Sequence, residues 1–270
     1  DGQFIAFIWD DGGVRDLWVV EPGVSLPQKV TSAEKGVYDI AWLPESTKLF
    51  FTMDNAIYEM CISPMSKPRL IFKSMKDIAG ISCSPDANTL AFGLDGNLYL
   101  CDLTASSITQ LDIPGRLSQT SELGIVVWSP SGAKFAFSFK DADTYHQIGV
   151  MTQNGTLLWK SNYQTSLTDF CWFDEDNLYF ANRQNYGRSA DLMMLNIGAE
   201  DTSLSTIMRL EGSGKGPLLS TKCAPSPDQT KGLLLLEDTG FAHYYVYDRR
   251  NGSVKQVTFG ESEDYGHAGD

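Results

Sequence analysis

The stretch Ser82-Cys83-Ser84-Pro85-Asp86-Ala87-Asn88-Thr89-Leu90-Ala91-Phe92-Gly93-Leu94-Asp95-Gly96-Asn97-Leu98-Tyr99-Leu100-Cys101-Asp102-Leu103 decides the fold, because the rest of the chain repeats its pattern with different filling. A short apolar run ends in Ser84-Pro85-Asp86, and Thr89 to Phe92 form a second run. Asp95-Gly96 then makes a tight reversal, and Asn97 to Leu103 returns with alternating apolar residues. Asp-Gly between two such runs is a strong hairpin signal, since both residues tolerate positive φ. The stretch therefore reads as three strands of a small antiparallel sheet.

Laid over the rest of the chain, this pattern recurs with a period of about 40 to 50 residues, the spacing of propellers and solenoids. The first unit has strands at Phe4–Ile8, Asp16–Val20 and Gln28–Thr31 and lacks an innermost strand. Asp1-Gly2 reads as the end of a Ser-Pro-Asp-Gly turn that begins upstream. The second unit has Leu43-Pro44-Glu45 in place of Ser-Pro-Asp, then Lys48–Thr52, an Asp54-Asn55 turn, Ala56–Met60 and Lys67–Phe72. Ser107–Leu111 completes the third. The fourth holds Trp128-Ser129-Pro130-Ser131-Gly132, Lys134–Phe139, Gln147–Met151, an Asn154-Gly155 turn and Thr156–Lys160. The fifth has Trp172-Phe173-Asp174-Glu175, Asn177–Ala181, a loop Asn182–Ala190, Asp191–Leu195 and a polar insertion Gly198–Ser203. The sixth has Ser226-Pro227-Asp228, Gly232–Leu236, Tyr244–Tyr247, an Asn251-Gly252 turn and Ser253–Phe259.

Period-two alternation recurs throughout and helical periodicity does not. The expectation is an all-β chain, a β-propeller of about six four-stranded antiparallel blades in a single domain. Its units fall near 1–34, 35–74, 75–114, 118–164, 165–212 and 216–260, and an acidic tail follows at 261–270. The tail supplies the strand missing from the first unit, or that strand lies outside this chain, and the sequence leaves both readings open. Trp42, Trp128 and Trp172 close the first strands of three units, with Cys83 and Pro225 at the same place in two others. A Trp there is a natural wedge between blades, because it buries a large area with few rotamers.

These repeats resemble the WD40-like PD40 repeats of TolB-type β-propellers. The likeness rests on Trp128-Ser129-Pro130-Ser131-Gly132, on Ser-Pro-Asp at 84–86 and 226–228, on Asp1-Gly2-Gln3-Phe4-Ile5-Ala6-Phe7, and on returning strands such as Asn97-Leu98-Tyr99-Leu100. It implies a periplasmic, cell-surface or extracellular protein whose propeller supports contacts between proteins. The same repeats build the N-terminal propeller of prolyl oligopeptidase-like serine peptidases, where they screen a separate hydrolase domain. The double-Glu segment of the dipeptidyl peptidase branch is not found in this sequence.

Composition narrows the partners. Of 270 residues, 34 are acidic and 21 basic, a formal net charge of −13, and the cations are scattered. Nucleic acid and anionic membrane surfaces are met by clustered Lys and Arg, so both are disfavoured. No apolar run approaches the ~18 residues of a membrane span. Five cysteines, at 61, 83, 101, 171 and 223, form no Cys-x-x-Cys pair and read as buried thiols, although Cys83 and Cys101 share a unit and are candidates to approach each other.

A search for chemistry returns no catalytic constellation. There is no Gly-x-Ser-x-Gly elbow. His146, His243 and His267 are far apart and fit no metal or triad spacing. Gly212-Ser213-Gly214-Lys215-Gly216 departs from a phosphate-binding loop at both of its diagnostic ends. The acids Asp10-Asp11, Asp141 to Asp143 and Asp174-Glu175-Asp176 offer oxygen ligands, but turns explain them as well. Asn154-Gly155-Thr156 and Asn251-Gly252-Ser253 match glycosylation acceptors, yet hairpin geometry accounts for Asn-Gly at both places. No catalytic, cofactor or metal residue is therefore expected. Contacts with a protein partner, within a larger assembly, are expected on the longer loops, Asp141–His146, Asn182–Ala190 and Gly212–Pro217. Tyr145, Tyr186 and Arg188 there are residue types enriched at binding hot spots.

Overall fold

The computed structural model describes residues 2–44, 47–118, 126–140, 146–162, 167–184, 189–198, 202–211, 224–236, 241 and 243–260, with the side chains of 167–169, 183, 184, 189, 190, 210, 211, 224, 225 and 236 excepted. Among these residues every regular element is a strand. The chain divides into two compact units, Asp1–Val126 and Val127–Asp270.

The first unit holds three antiparallel sheets. The first comprises β1 (Ile5–Asp10), β2 (Arg15–Val20) and β3 (Gln28–Lys29), in that order and with no fourth strand among the described residues. The second comprises β4 (Val37–Trp42), β5 (Lys48–Met53), β6 (Ala56–Cys61) and β7 (Arg69–Lys73), and the third β8 (Ile78–Cys83), β9 (Thr89–Leu94), β10 (Asn97–Asp102) and β11 (Ser107–Leu111). A short strand β12 (Arg116–Leu117) follows. The second unit holds β13 (Val126–Trp128), β14 (Lys134–Lys140), β15 (His146–Thr152) and β16 (Leu157–Lys160) in the fourth sheet. The fifth is β17 (Leu167–Trp172), β18 (Asn177–Gln184), β19 (Ser189–Ile197) and β20 (Thr202–Glu211). The sixth is β21 (Ala224–Pro225), β22 (Lys231–Leu236), β23 (His243–Asp248) and β24 (Ser253–Gln256).

Alternation explains the stacking. In β5, Leu49 and Phe51 pack on the first sheet with Leu17 and Val19, while Phe50 between them packs on the third with Ile81, Leu90 and Phe92. In β18, Leu178 and Phe180 meet Ala136, Ile148 and Val150 of the fourth sheet, and Tyr179 and Ala181 meet Leu234, Tyr245 and Tyr247 of the sixth. Second strands thus bury both faces and read as continuous apolar runs rather than half-polar ones. Trp42, Trp128 and Trp172 each end a first strand. Trp172 packs against the fourth sheet, and its indole Nε1–H donates to the Val127 carbonyl at 2.9 Å.

The Ser-Pro-Asp turns share one hydrogen-bond plan. The Ser84 N–H donates to the Thr89 carbonyl (2.8 Å), the Thr89 N–H to Ser84 Oγ (2.9 Å), and the Ser84 hydroxyl to Asp86 Oδ1. Ser226, Asp228 and Lys231 repeat it at 2.8, 3.0 and 2.6 Å. The plan needs a left-handed residue after the third turn position, filled by Ala87 (φ 61°), Gly132 (φ 77°) and Gln229 (φ 55°). Units without Ser-Pro keep the closing bond. The Leu43 N–H donates to the Lys48 carbonyl at 3.0 Å and the Phe173 N–H to the Asn177 carbonyl at 2.8 Å. At the other end of the sheets, Asp54-Asn55 and Asp95-Gly96 have φ of 53°, 62°, 55° and 78°, the double left-handed turn expected of tight hairpins.

In three sheets a hydroxyl just past the outer strand clasps the strand next to it. The Leu17 N–H donates to Thr31 Oγ1 (2.9 Å), Ile148 N–H to Ser161 Oγ (3.0 Å) and Tyr244 N–H to Thr258 Oγ1 (2.8 Å). The preceding residues, Asp16, Gln147 and His243, are buried polar groups. Asp16 accepts the Thr31 hydroxyl, Gln147 the Ser161 hydroxyl, and His243 Nε2 lies 3.1 Å from the Gly260 carbonyl.

Three expectations change. The described flanks of the loop expected over Asn182–Ala190 are strand: Asn182 pairs with Asp191, Arg183 with Ala190 and Gln184 with Ser189, an extension of the hairpin with no apolar alternation to announce it. The polar insertion Gly198–Ser203 gives its last two residues to β20. Cys83 and Cys101 do not approach each other, because both pair with Leu90 from opposite sides and lie two strand spacings, roughly 9.5 Å, apart.

Candidate interaction surface

The strands of each sheet run between two ends. Counting β1 to β3 as the second to fourth strands of the first sheet, one end carries the turns joining first to second and third to fourth strands, and the other carries the second-to-third hairpins and the connections to the next sheet.

At the first end the polar groups are spent on the protein itself. Asp174-Glu175-Asp176 is the clearest case. Asp174 accepts the N–H groups of Asp176 and Asn177 and the Asn177 amide, and it pairs with Arg249, whose guanidinium also covers the Phe173 ring. Burial raises the Asp174 carboxyl, but these donors outweigh it and leave the group below the ordinary carboxylate value. Glu175 accepts the Ser129 hydroxyl and the Ser131 N–H, both at 2.9 Å, and so replaces the Asp that the fourth unit lacks. Asp176 takes the Lys134 ammonium at 2.6 Å. The three acids therefore tie the fifth sheet to its neighbours on both sides. Asp86, Asp102 and Asp228 are likewise held by hydrogen bonds of their own turns. Asp248 drops to about 2 beside Arg250.

The second end of the first unit displays groups outward. Arg15 follows the β1–β2 hairpin, and its guanidinium lies 4.5 Å from the centroid of Tyr38 on β4. Tyr38 is 51% exposed, and its hydroxyl donates to the Lys35 carbonyl at 2.7 Å. The loop that carries Lys35 is fixed from the other side by Asp54, which accepts the Lys35 N–H at 2.6 Å and the Glu34 N–H at 3.1 Å. Gly36 (φ 123°) lets the loop turn under the Tyr38 ring, where an added Cβ would lie 3.5 Å from the ring in a strained backbone. Trp9, 51% exposed, stands at the same end of β1 against Trp18, and Met75 projects from the connection into β8. Asp95 of the third sheet pairs with Lys76 on the connection into β8, and Arg116 Nη2 of β12 donates to the Asp95 carbonyl at 3.2 Å. The ammonium of Lys76 holds the Asp95 carboxyl below its ordinary value.

Asp39 sits on the innermost strand of the second sheet. Its carboxylate accepts the Ile81 N–H of the third sheet at 2.6 Å and the Ile40 N–H at 2.9 Å. Burial pushes the carboxyl upward, and the two amides offset this only in part.

The expected contact residues Tyr145, Tyr186 and Arg188 lie outside the described residues, as do Asp141 to Asp143, Gly212 to Pro217, His267 and the tail 261–270. The strand ends that frame the first two loops are described. Lys140 pairs with His146, and Gln184 with Ser189, so both loops are second-to-third connections. Burial lowers the His146 pKa, with the Lys140 charge adding to it. Arg15, Tyr38 and Trp9 were not singled out by the sequence, because their juxtaposition depends on neighbouring units. The available signal was their residue type at the ends of predicted strands. Among the described residues, no group of three or more His, Cys, Asp and Glu side chains could hold a metal ion.

No protein-family model matches the chain, and no curated protein matches it. Solved structures do. TolB from Acinetobacter baumannii is 17% identical with a TM-score of 0.55, over 94% of this chain and 63% of that one. The β-propeller domain of Myceliophteria thermophila Cps50 (Swd1) is 12% identical with a TM-score of 0.64, over 97% and 85%. A candidate dipeptidyl aminopeptidase IV from Bacteroides ovatus ATCC 8483 is 16% identical with a TM-score of 0.64, over 96% of this chain and 46% of that one. The chain thus spans less than two thirds of the TolB structure and about half of the peptidase. With its stacked four-stranded antiparallel sheets, the fold of this chain is a β-propeller of about six blades.

Proposed function

We propose that the chain is a non-catalytic propeller acting as a protein-interaction or scaffolding module, in the cell envelope or outside the cell. The observation that carries this reading is the contrast between the two ends of the sheets. One end uses its carboxylates and hydroxyls to close its own turns and seams, so a partner there would have to break them. The other end of the first unit presents Trp9 on β1, Arg15 on β2 and Tyr38 on β4, residue types that dominate interface energetics, and Asp54 fixes the Glu34–Lys35 loop to which the Tyr38 hydroxyl donates. A preorganised display of this kind lowers the cost of binding. Similarity to TolB supports the setting.

The test is affinity capture with the full-length native protein from envelope and cell-surface fractions, in parallel with an Arg15→Glu, Tyr38→Ala double variant. The reading predicts a partner retained by the native protein and lost by the variant. Failure to retain any envelope or surface protein would overturn it. A second reading, the substrate-gating propeller of a prolyl oligopeptidase-like serine peptidase, draws on the similarity to the peptidase of which this chain spans 46%. The sequence following Asp270 decides it: a Gly-x-Ser-x-Gly elbow with an acid and a His downstream supports it, and their absence removes it.

A further inference from the structure

Outer strands expose a row of backbone donors and acceptors, and proteins blunt such edges with short strands, charges or proline. Most outer strands here follow that rule. β3 has two residues, β7 carries Arg69 and Lys73 at its ends after Pro68, β16 ends in Lys160 and β24 contains Lys255. β20 departs from it. It spans ten residues, from Thr202 to Glu211, and pairs with β19 on one side only among the described residues. Arg209 is engaged in a two-pronged pair with Asp191 at 2.8 and 3.1 Å, so the stretch Thr202 to Met208 carries no charge at all. The register shift that leaves Ile207 unopposed divides the strand. It keeps Thr202 to Thr206 in regular pairing, from Ile197–Thr202 to Met193–Thr206, with all five side chains exposed.

That five-residue stretch, Thr202-Ser203-Leu204-Ser205-Thr206, reads the same in both directions. Laid antiparallel against a second copy and centred on Leu204, it opposes Thr202 to Thr206, Ser203 to Ser205, and Leu204 to itself. Hydroxyl pairs and an apolar pair at such positions favour strand pairing, whereas like charges oppose it. The chain as a whole carries −13, so like charge on its surface opposes a second copy, and the stretch Thr202–Met208, which follows Glu200-Asp201, adds no charge of its own to that repulsion. β11 is uncharged too, but Ser107-Ile108-Thr109-Gln110-Leu111 has no such symmetry. We propose that β20 is a self-association edge, through which two copies of this chain pair antiparallel about a two-fold axis at Leu204. An isologous contact of this kind closes on itself and gives a dimer rather than a filament. Five residues per strand make it a weak, concentration-dependent one.

Sedimentation across about 1 μM to 1 mM of the purified protein tests this, with Leu204→Glu and Leu204→Cys alongside. Leu204 is 41% exposed, so both variants are expected to keep the native unfolding temperature. The native chain should shift toward dimer within this range. Leu204→Glu places two like charges opposite each other and should raise the dissociation constant about tenfold or more. Opposed residues in antiparallel strands are about 4.5–5.5 Å apart at Cα, within disulfide reach, so Leu204→Cys should cross-link between chains under mild oxidation faster than a Ser107→Cys control. A chain monomeric throughout, a dimer indifferent to Leu204→Glu, or equal cross-linking at 204 and 107 would each overturn the proposal. So would β20 amides protected from exchange only by another protein.

Discussion

Glu175 offers a sharp perturbation, because it does from a neighbouring sheet what Asp86 and Asp228 do within their own turns. Glu175→Ala removes the acceptor of the fully buried Ser129 hydroxyl and of the Ser131 N–H. A hydrogen bond to a charged acceptor contributes about 1.5–3 kcal/mol, and most of that is lost at Ser129, which water cannot reach. The exposed Ser131 N–H adds a few tenths. The total of about 2–3 kcal/mol corresponds to a fall of roughly 4–12 °C in the unfolding temperature of a unit this size. The second step is diagnostic. Ser131→Asp in the Glu175→Ala background restores the Ser-Pro-Asp plan seen at 84–86, so the carboxylate introduced at position 131 should accept the Ser129 hydroxyl and recover most of the loss. In the presence of Glu175 the same substitution sets two carboxylates on one hydroxyl and should not stabilise. Calorimetry of the four proteins measures the coupling. A double variant no more stable than Glu175→Ala, or a gain from Ser131→Asp alone, would refute the equivalence of the turns.

Three further outcomes are expected. The Cys83 thiol, pushed up to about 12 by burial and then by Asp86, should resist alkylation of the folded protein at pH 8, and oxidation should yield no Cys83–Cys101 peptide; mass mapping checks both. For Asp39, the folded-state pKa lies above the ordinary 3.8, so its contribution is largest at low pH and declines as pH rises from about 3.8 through the raised value. The difference in unfolding temperature between native protein and Asp39→Asn, followed from pH 3.5 to 7, should therefore change in the variant's favour as pH rises and then level off. A constant difference would contradict this.

Much of the fold was legible because it is local. Apolar runs bounded by Asp-Gly, Asp-Asn and Ser-Pro-Asp specify strands and turns within a few residues, and Trp42, Trp128 and Trp172 mark the ends of equivalent strands. What escaped depends on the stacking of one unit on the next. Glu175 reaches Ser129, Asp39 reaches Ile81 and Arg15 covers Tyr38 across seams whose geometry no local pattern encodes. The Asn182–Ala190 segment carries the sequence pattern of a loop for a related reason. Its pairing is backbone hydrogen bonding between polar residues, which leaves no hydrophobic period. The expected contacts Tyr145, Tyr186 and Arg188 rest on loop length and lie outside the described residues, whereas the Arg15–Tyr38 pair is formed by two strands of neighbouring sheets, with Asp54 fixing the loop beside it.

The central proposal is that, in the first unit, one end of the sheets is for partners and the other for the fold. Photo-activated cross-linkers placed singly at Tyr38 and at Thr104 in the full-length native protein test it most directly. Thr104 lies on a turn of the opposite end, where its hydroxyl and N–H both donate to Asp102. Adducts with another protein from position 38 and none from position 104 are predicted. Adducts confined to position 104 would contradict the account.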